Sequence, residues 1–158
     1  SDFDFSIDLS KNFKLRSSSS WIEGFESKSK TPLINVPPFT SNNNILFSIP
    51  TFKSFSIAVS NKITLSQNQF PNHNFETSVV ENGKRINKVV DISSPPDAYN
   101  LLGMEFHWGP YLFFTDKVSI SIIFDNILDK NYRNYLNRLR FYADEIGRNV
   151  MLQIKINH

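Results

Sequence analysis

With 158 residues, 40% of them hydrophobic, the chain carries enough apolar material for one domain, and its 15 Phe against 5 Gly favour strands. Seventeen basic and 15 acidic side chains, dispersed for a net +2, form no basic stripe for nucleic acid, and the absence of cysteine removes disulfides, thiolate metal sites and thiol nucleophiles together. No apolar run approaches the roughly 20 residues of a membrane helix, while a mean hydropathy of −0.29 is compatible with barrel strands that alternate lipid-facing and lumen-facing residues.

Period-two alternation begins at once: Phe3, Phe5, Ile7 and Leu9 share one face and Asp4, Ser6 and Asp8 the other. After a turn at Ser10-Lys11, Phe13, Leu15 and Trp21 carry the apolar side of a second strand, with Lys14, Arg16, Ser18 and Ser20 opposite; Ser17 and Ser19 weaken that apolar side. Loop chemistry follows from Glu23 to Thr40, including Pro32, Pro37 and Pro38. A short third strand is predicted at Ile45, Phe47 and Ile49. Past Pro50-Thr51, a fourth carries Phe55, Ile57, Val59, Ile63 and Leu65, with Ser54, Ser56, Ala58, Ser60, Lys62 and Thr64 on the reverse.

From Ser66 to Ala98 the chain is polar without sustained periodicity, which predicts a long loop. Leu102, Met104, Phe106 and Trp108 form the next apolar face, with Gly103, Glu105 and His107 behind them. A turn through Gly109-Pro110 leads to Val118, Ile120, Ile122 and Phe124, opposed by Ser119, Ser121 and Asp125, with Ile123 as the apolar exception. A third long connection runs from Ile127 to Gly147. The last strand carries Val150, Leu152, Ile154 and Ile156, alternating with Asn149, Gln153, Lys155 and Asn157.

Seven strands are therefore expected, joined in the order short, long, short, long, short, long. Transmembrane barrels segregate tight periplasmic turns from long extracellular loops in this way, and a soluble sandwich has no reason to. Most predicted strands, at roughly 8 to 12 residues, match the 9 to 11 that cross a bilayer when tilted. Soluble strands average about 5 to 6. The expected class is all-β: an antiparallel transmembrane β-barrel segment over residues 1–158 that ends on the barrel's last strand. Self-contained barrels have an even number of strands, so seven imply at least one further strand upstream. A soluble β-sandwich binding module is the alternative outside membranes.

The last third of the chain resembles the C-terminal end of TonB-dependent outer-membrane receptors. Phe124-Asp125-Asn126-Ile127-Leu128-Asp129-Lys130-Asn131-Tyr132-Arg133 is similar to the family's "xxNLxDxxYR" segment, and Gly147-Arg148-Asn149-Val150 to the "GRN" that opens its closing strand. Upstream, Pro37-Pro38-Phe39 resembles a "PP" that precedes a family strand, and Pro95-Pro96-Asp97-Ala98-Tyr99-Asn100-Leu101-Leu102 a "PPAYxLL" stretch. Proline cannot donate to a sheet ladder, so such pairs mark where loops stop. Gly147 permits a backbone turn that β-branched residues resist.

The resemblance implies the C-terminal part of a barrel of about 22 strands, plugged by an N-terminal domain that lies outside this chain. Its implied activity is uptake of a scarce solute such as an iron-siderophore or other metal chelate across the outer membrane of a Gram-negative bacterium. The implied partners are the TonB complex, engaged through the N-terminal region, the barrel-assembly machinery, and lipid with lipopolysaccharide. A passive porin or adhesin barrel is the rival within membranes. Family members usually end on an aromatic residue, part of the terminal signal read during barrel assembly; Ile154, Ile156 and His158 occupy that register here.

Candidate chemistry is sparse. His73, His107 and His158 lie far apart in the sequence, so no metal or cofactor site is expected. Ser119 or Ser121 could meet His107 across neighbouring strands, but no third orienting group accompanies them and no enzyme is expected. The third long connection concentrates Tyr132, Arg133, Tyr135, Arg138, Arg140 and Tyr142, whose rings and guanidinium groups suit an anionic or catecholate-like chelate. Packing of the loop on its neighbours and contact with lipopolysaccharide phosphates are the plainer uses of the same groups. Glu105 and His107 are expected on the lumen side, and Trp108 and Trp21 as anchors at the periplasmic and extracellular interfaces.

Overall fold

The computed structural model describes residues 1–49, 55–71, 74–90, 94–109 and 118–156. Within these residues there are nine strands: β1 (Asp2–Asp8), β2 (Phe13–Ser20), β3 (Thr40–Ser48), β4 (Phe55–Thr64), β5 (Phe75–Glu81), β6 (Lys84–Val90), β7 (Tyr99–Trp108), β8 (Val118–Asp125) and β9 (Asn149–Ile156). Seven form one antiparallel sheet in the order β1-β2-β3-β4-β7-β8-β9, a meander of nearest neighbours, and β5 and β6 pair separately. The sheet does not close into a barrel.

Two expectations are corrected. The segment from Ser66 to Ala98 is not one long loop, because it contains the β5–β6 hairpin, and the strand count rises from seven to nine. The hairpin turns on Asn82-Gly83, with φ of 51° and 77°, the paired positive values of a type I′ turn that matches strand twist. β3 begins at Thr40, not near Ile45, and runs for nine residues. Its first half, Ser41 to Asn44, is polar on both faces and so leaves no hydropathy alternation. It forms a strand because β2 and β4 flank it and pair residue for residue, Asn43 facing Ser17 on one side and Asn61 on the other.

Both proline pairs stand just before strands, Pro37-Pro38 before β3 and Pro95-Pro96 before β7. The turn after Ile49, the turn after Gly109, and His73, Asn157 and His158 lie outside the described residues.

Directly opposed residues in an antiparallel pair share a face. One run across the sheet reads Ile7, Leu15, Ile45, Val59, Met104, Phe124 and Val150; the next reads Phe13, Phe47, Ile57, Phe106, Ile122 and Leu152. Aromatic contacts reinforce this face: Phe13 stacks on Phe47 at 4.5 Å, Phe55 meets Trp108 at 4.7 Å, and Phe106 meets Phe124 edge-on at 6.0 Å. Among the described residues no second layer covers it. Among the described residues the buried hydrophobic side chains are Tyr99 and Tyr135 alone, while Phe3, Ile45, Val150, Leu152 and Ile154 are exposed.

The chain exposes 11636 Å², whereas a compact soluble protein of its mass would expose roughly 8,000 Å². A sheet that leaves its apolar face bare is not stabilised by a core of its own in water. Six successive antiparallel pairings leave β1 and β9 running in the same direction at the two edges. Antiparallel closure therefore requires an odd number of further strands between them.

Candidate functional site

Three long connections, 21–39, 65–98 and 126–148, leave the sheet at one rim, and the short ones leave at the other. The third is held down by side chains that bond to backbone. Asn126, buried at the end of β8 and in the left-handed region (φ 49°), donates from Nδ2 to the Lys130 carbonyl and accepts from the Lys130 amide, both at 2.9 Å. Asp129 (φ 53°) accepts from the Arg148 amide at 2.8 Å, 19 residues away. A Cβ on Gly147 would stand 2.7 Å from that carboxylate oxygen, so glycine is what lets Asp129 reach the start of β9.

Within the connection, Asn137 caps the short 3-10 turn Arg138–Phe141 by accepting from the Leu139 amide, and its Nδ2 donates to Glu145 at 2.6 Å. Arg133 pairs with Asp144 at 2.6 Å and donates to the Arg140 carbonyl at 3.0 Å. Arg140 is buried, its guanidinium 4.5 Å from the Tyr135 ring centroid and 4.6 Å from that of Phe141, and it donates to the Tyr135 carbonyl. Tyr132 lies against Tyr99 of β7 at 4.6 Å. Burial first, and then the negative charge of Glu145, raises the Tyr132 phenol above its ordinary pKa of 10.0.

The six loop residues singled out by composition thus divide. Tyr132, Arg133, Tyr135 and Arg140 are engaged in holding the connection together. Arg138 and Tyr142 stand exposed, Tyr142 at 85%. Asn126, Asp129, Asn137, Asp144 and Glu145, which supply the bonds, attract no notice by composition. The signal available for the first two was the Asn-x-x-Asp spacing, since Asn and Asp tolerate positive φ better than other side chains.

Beneath this connection the polar face of the sheet holds a cavity of about 400 Å³ lined by Asn42, Asn44, Ser60, Lys62, Asp125 and Tyr132, with Gly147 at its edge. Its lining offers amide and hydroxyl groups and one charge of each sign, suited to a polar solute. Nearer the other rim, His107 and Ser121 are directly opposed on the same face, Nδ1 to Oγ at 2.8 Å, with Ser56 on the far side of His107. Glu105 sits between Ala58 and Ile123. Among the described residues no cluster of His, Asp and Glu forms a metal-ligand set.

Trp108 ends β7 at the rim with short turns and Trp21 follows β2 at the opposite rim, 56% exposed. Ile154 and Ile156 are exposed on the edge strand β9.

No family model matches the chain, and no curated protein matches it by sequence. Among solved structures it is similar to "Copper transporter OprC", with a TM-score of 0.75 and 18% identity over 98% of this chain and 22% of that one. The chain thus spans about a fifth of that protein's length. At this identity the likeness is one of fold.

Proposed function

We propose that the chain is a section of wall and external loops from an outer-membrane β-barrel transporter that takes up a metal or another scarce solute. The observation that carries this reading is the seven-stranded sheet itself, with an exposed apolar face that no layer of the described residues covers and long connections on one rim only. Hydrocarbon is the solvent in which such a face is stable. The fold likeness to a copper transporter supports a transport role.

Finer features rest on the motifs from Asn126 to Arg133 and from Gly147 to Val150: energisation through the TonB complex, a siderophore or similar chelate as cargo, and insertion by the barrel-assembly machinery among lipopolysaccharide. The polar face and the cavity under the third connection line the solute's route, and the exposed Arg138 and Tyr142 meet it first. No catalytic step is assigned.

Deleting the gene and following growth and uptake with copper and with a panel of iron chelates tests the proposal. Loss for one solute, restored by the intact gene and not by a copy lacking 130–146, supports it. Unchanged uptake of every solute, together with recovery of the protein in detergent-free extracts, sinks it.

A further inference from the structure

The outward apolar face is not continuous. Across β2, β3, β4 and β7, toward the rim with the long connections, it carries Ser17, Ser19, Ser41, Asn43, Asn61 and Asn100. Four of them join in a ladder, in which Ser17 Oγ donates to Asn43 Oδ1 at 2.6 Å, Ser19 Oγ to Ser41 Oγ at 3.0 Å and Asn43 Nδ2 to Ser41 Oγ at 3.3 Å, and beside it Asn61 Nδ2 donates to Asn100 Oδ1 at 2.8 Å as a separate pair. The bonds show that the side chains lie on one face together. Each asparagine amide has two donors and two acceptor lone pairs, more than these bonds use.

Strand lengths decide what faces them. Crossing the hydrocarbon takes about 9 to 11 tilted residues, hence about five outward positions per strand. β8 and β9 each supply four apolar ones in unbroken alternation, Val118 to Phe124 and Val150 to Ile156. β2 supplies two, Phe13 and Leu15, before Ser17. β3 offers Ile45 and Phe47, with Ile49 just beyond; β4 offers Phe55, Ile57 and Val59, then Asn61 opposite Leu102 of β7, then Ile63 opposite Ser41. The belt is therefore cut short on β2 and β3 at the same pairing rows and interrupted on β4 by Asn61 alone, and polar groups with spare hydrogen-bonding capacity are costly to leave in hydrocarbon.

Resting on the transporter-wall reading, we infer that the hydrocarbon boundary dips across β2 and β3 to the row between Leu15 and Ser17. The Ser/Asn ladder then lies against the ester and hydroxyl groups of the lipid interface. The ladder is uncharged, which fits neutral carbonyl and hydroxyl partners better than phosphate. Trp21 and Phe39, adjoining it on the loop side around a shared cavity, are amphipathic or aromatic borders of the kind that sit at interfaces. The short belt thins the bilayer at this sector of the wall.

This chain has no cysteine, and with any cysteine elsewhere in the full-length protein replaced by serine, a fluorophore on a new cysteine reports from one place. The full-length protein, reconstituted in phosphatidylcholine vesicles, would carry it at S19C or S41C on the ladder, and at I122C or L152C on the belt. Belt labels should be quenched strongly by acyl-chain-brominated phosphatidylcholine and little by aqueous iodide. Ladder labels should show at least threefold less quenching by bromine and clear quenching by iodide. Equal bromine quenching at both sets overturns the inference, as does shielding of S19C and S41C from both quenchers, which means that protein covers the ladder. If I122C and L152C also escape bromine, the transporter-wall reading itself fails.

Discussion

Asp129 receives one amide from nineteen residues away and has room to do so only because Gly147 lacks a side chain. Hydrogen bonds to charged groups contribute about 1.5–3 kcal/mol, so Asp129→Ala should loosen the third connection by that order. Limited proteolysis should then cut between 130 and 146 while the strands stay intact. Tyr132 gives a pH test. Its folded pKa is raised, so its contribution is fully present below about pH 10 and is lost as pH rises through the folded value. Protection of the connection should fall in that alkaline window, and Tyr132→Phe should flatten the fall; an unchanged profile in the variant would assign the loss to other groups. The sequence made this connection conspicuous through its rings and guanidinium groups. It hid the division of labour, because whether Arg140 meets solvent or lies between two rings depends on a fold of the loop that no local spacing encodes.

The β5–β6 hairpin and β3 show two ways in which an element escapes pattern reading. The hairpin's turn carried a local signal, Asn82-Gly83, that the reading of 66–98 as one long loop passed over. Its strands carried none, because Val79 and Val80 are adjacent and charged residues surround them. β3 is the reverse case, a strand with no pattern in its first half that is held by its neighbours. Strands with period-two apolar faces, β1, β4, β7, β8 and β9, were legible nearly to their ends. An isolated two-stranded hairpin is marginally stable in water, and a side chain forced left-handed costs about 1–2 kcal/mol. Gly83→Val, at φ 77°, should therefore open this hairpin. Hydrogen exchange should rise across 75–90 and stay unchanged in the seven-stranded sheet, which pairs without it.

For the whole molecule, adjacent residues of β9 separate a membrane wall from a soluble sheet. Leu152 is 64% exposed, and Gln153 beside it is exposed on the other face. In water both sites would tolerate arginine within about 0.5 kcal/mol. If the apolar face meets lipid, Leu152→Arg should cost about 2–4 kcal/mol near the bilayer midplane and Gln153→Arg little. Urea titration of the full-length protein in vesicles measures the difference, and equal midpoints would argue against a lipid-facing β9.

Strand order also bears on how fast the sheet can assemble. Most neighbours in the meander are joined by short turns or modest loops, but pairing β4 with β7 must close the chain from Thr64 to Tyr99, its longest connection. The β5–β6 hairpin ties up about half of that length with a local two-residue turn, and each halving of a flexible loop lowers its closure cost by roughly 0.6 kcal/mol. Formed early, on the microsecond scale typical of hairpins, it draws the two halves of the sheet toward each other before they dock. Chains with an opened hairpin should reach the same final sheet more slowly.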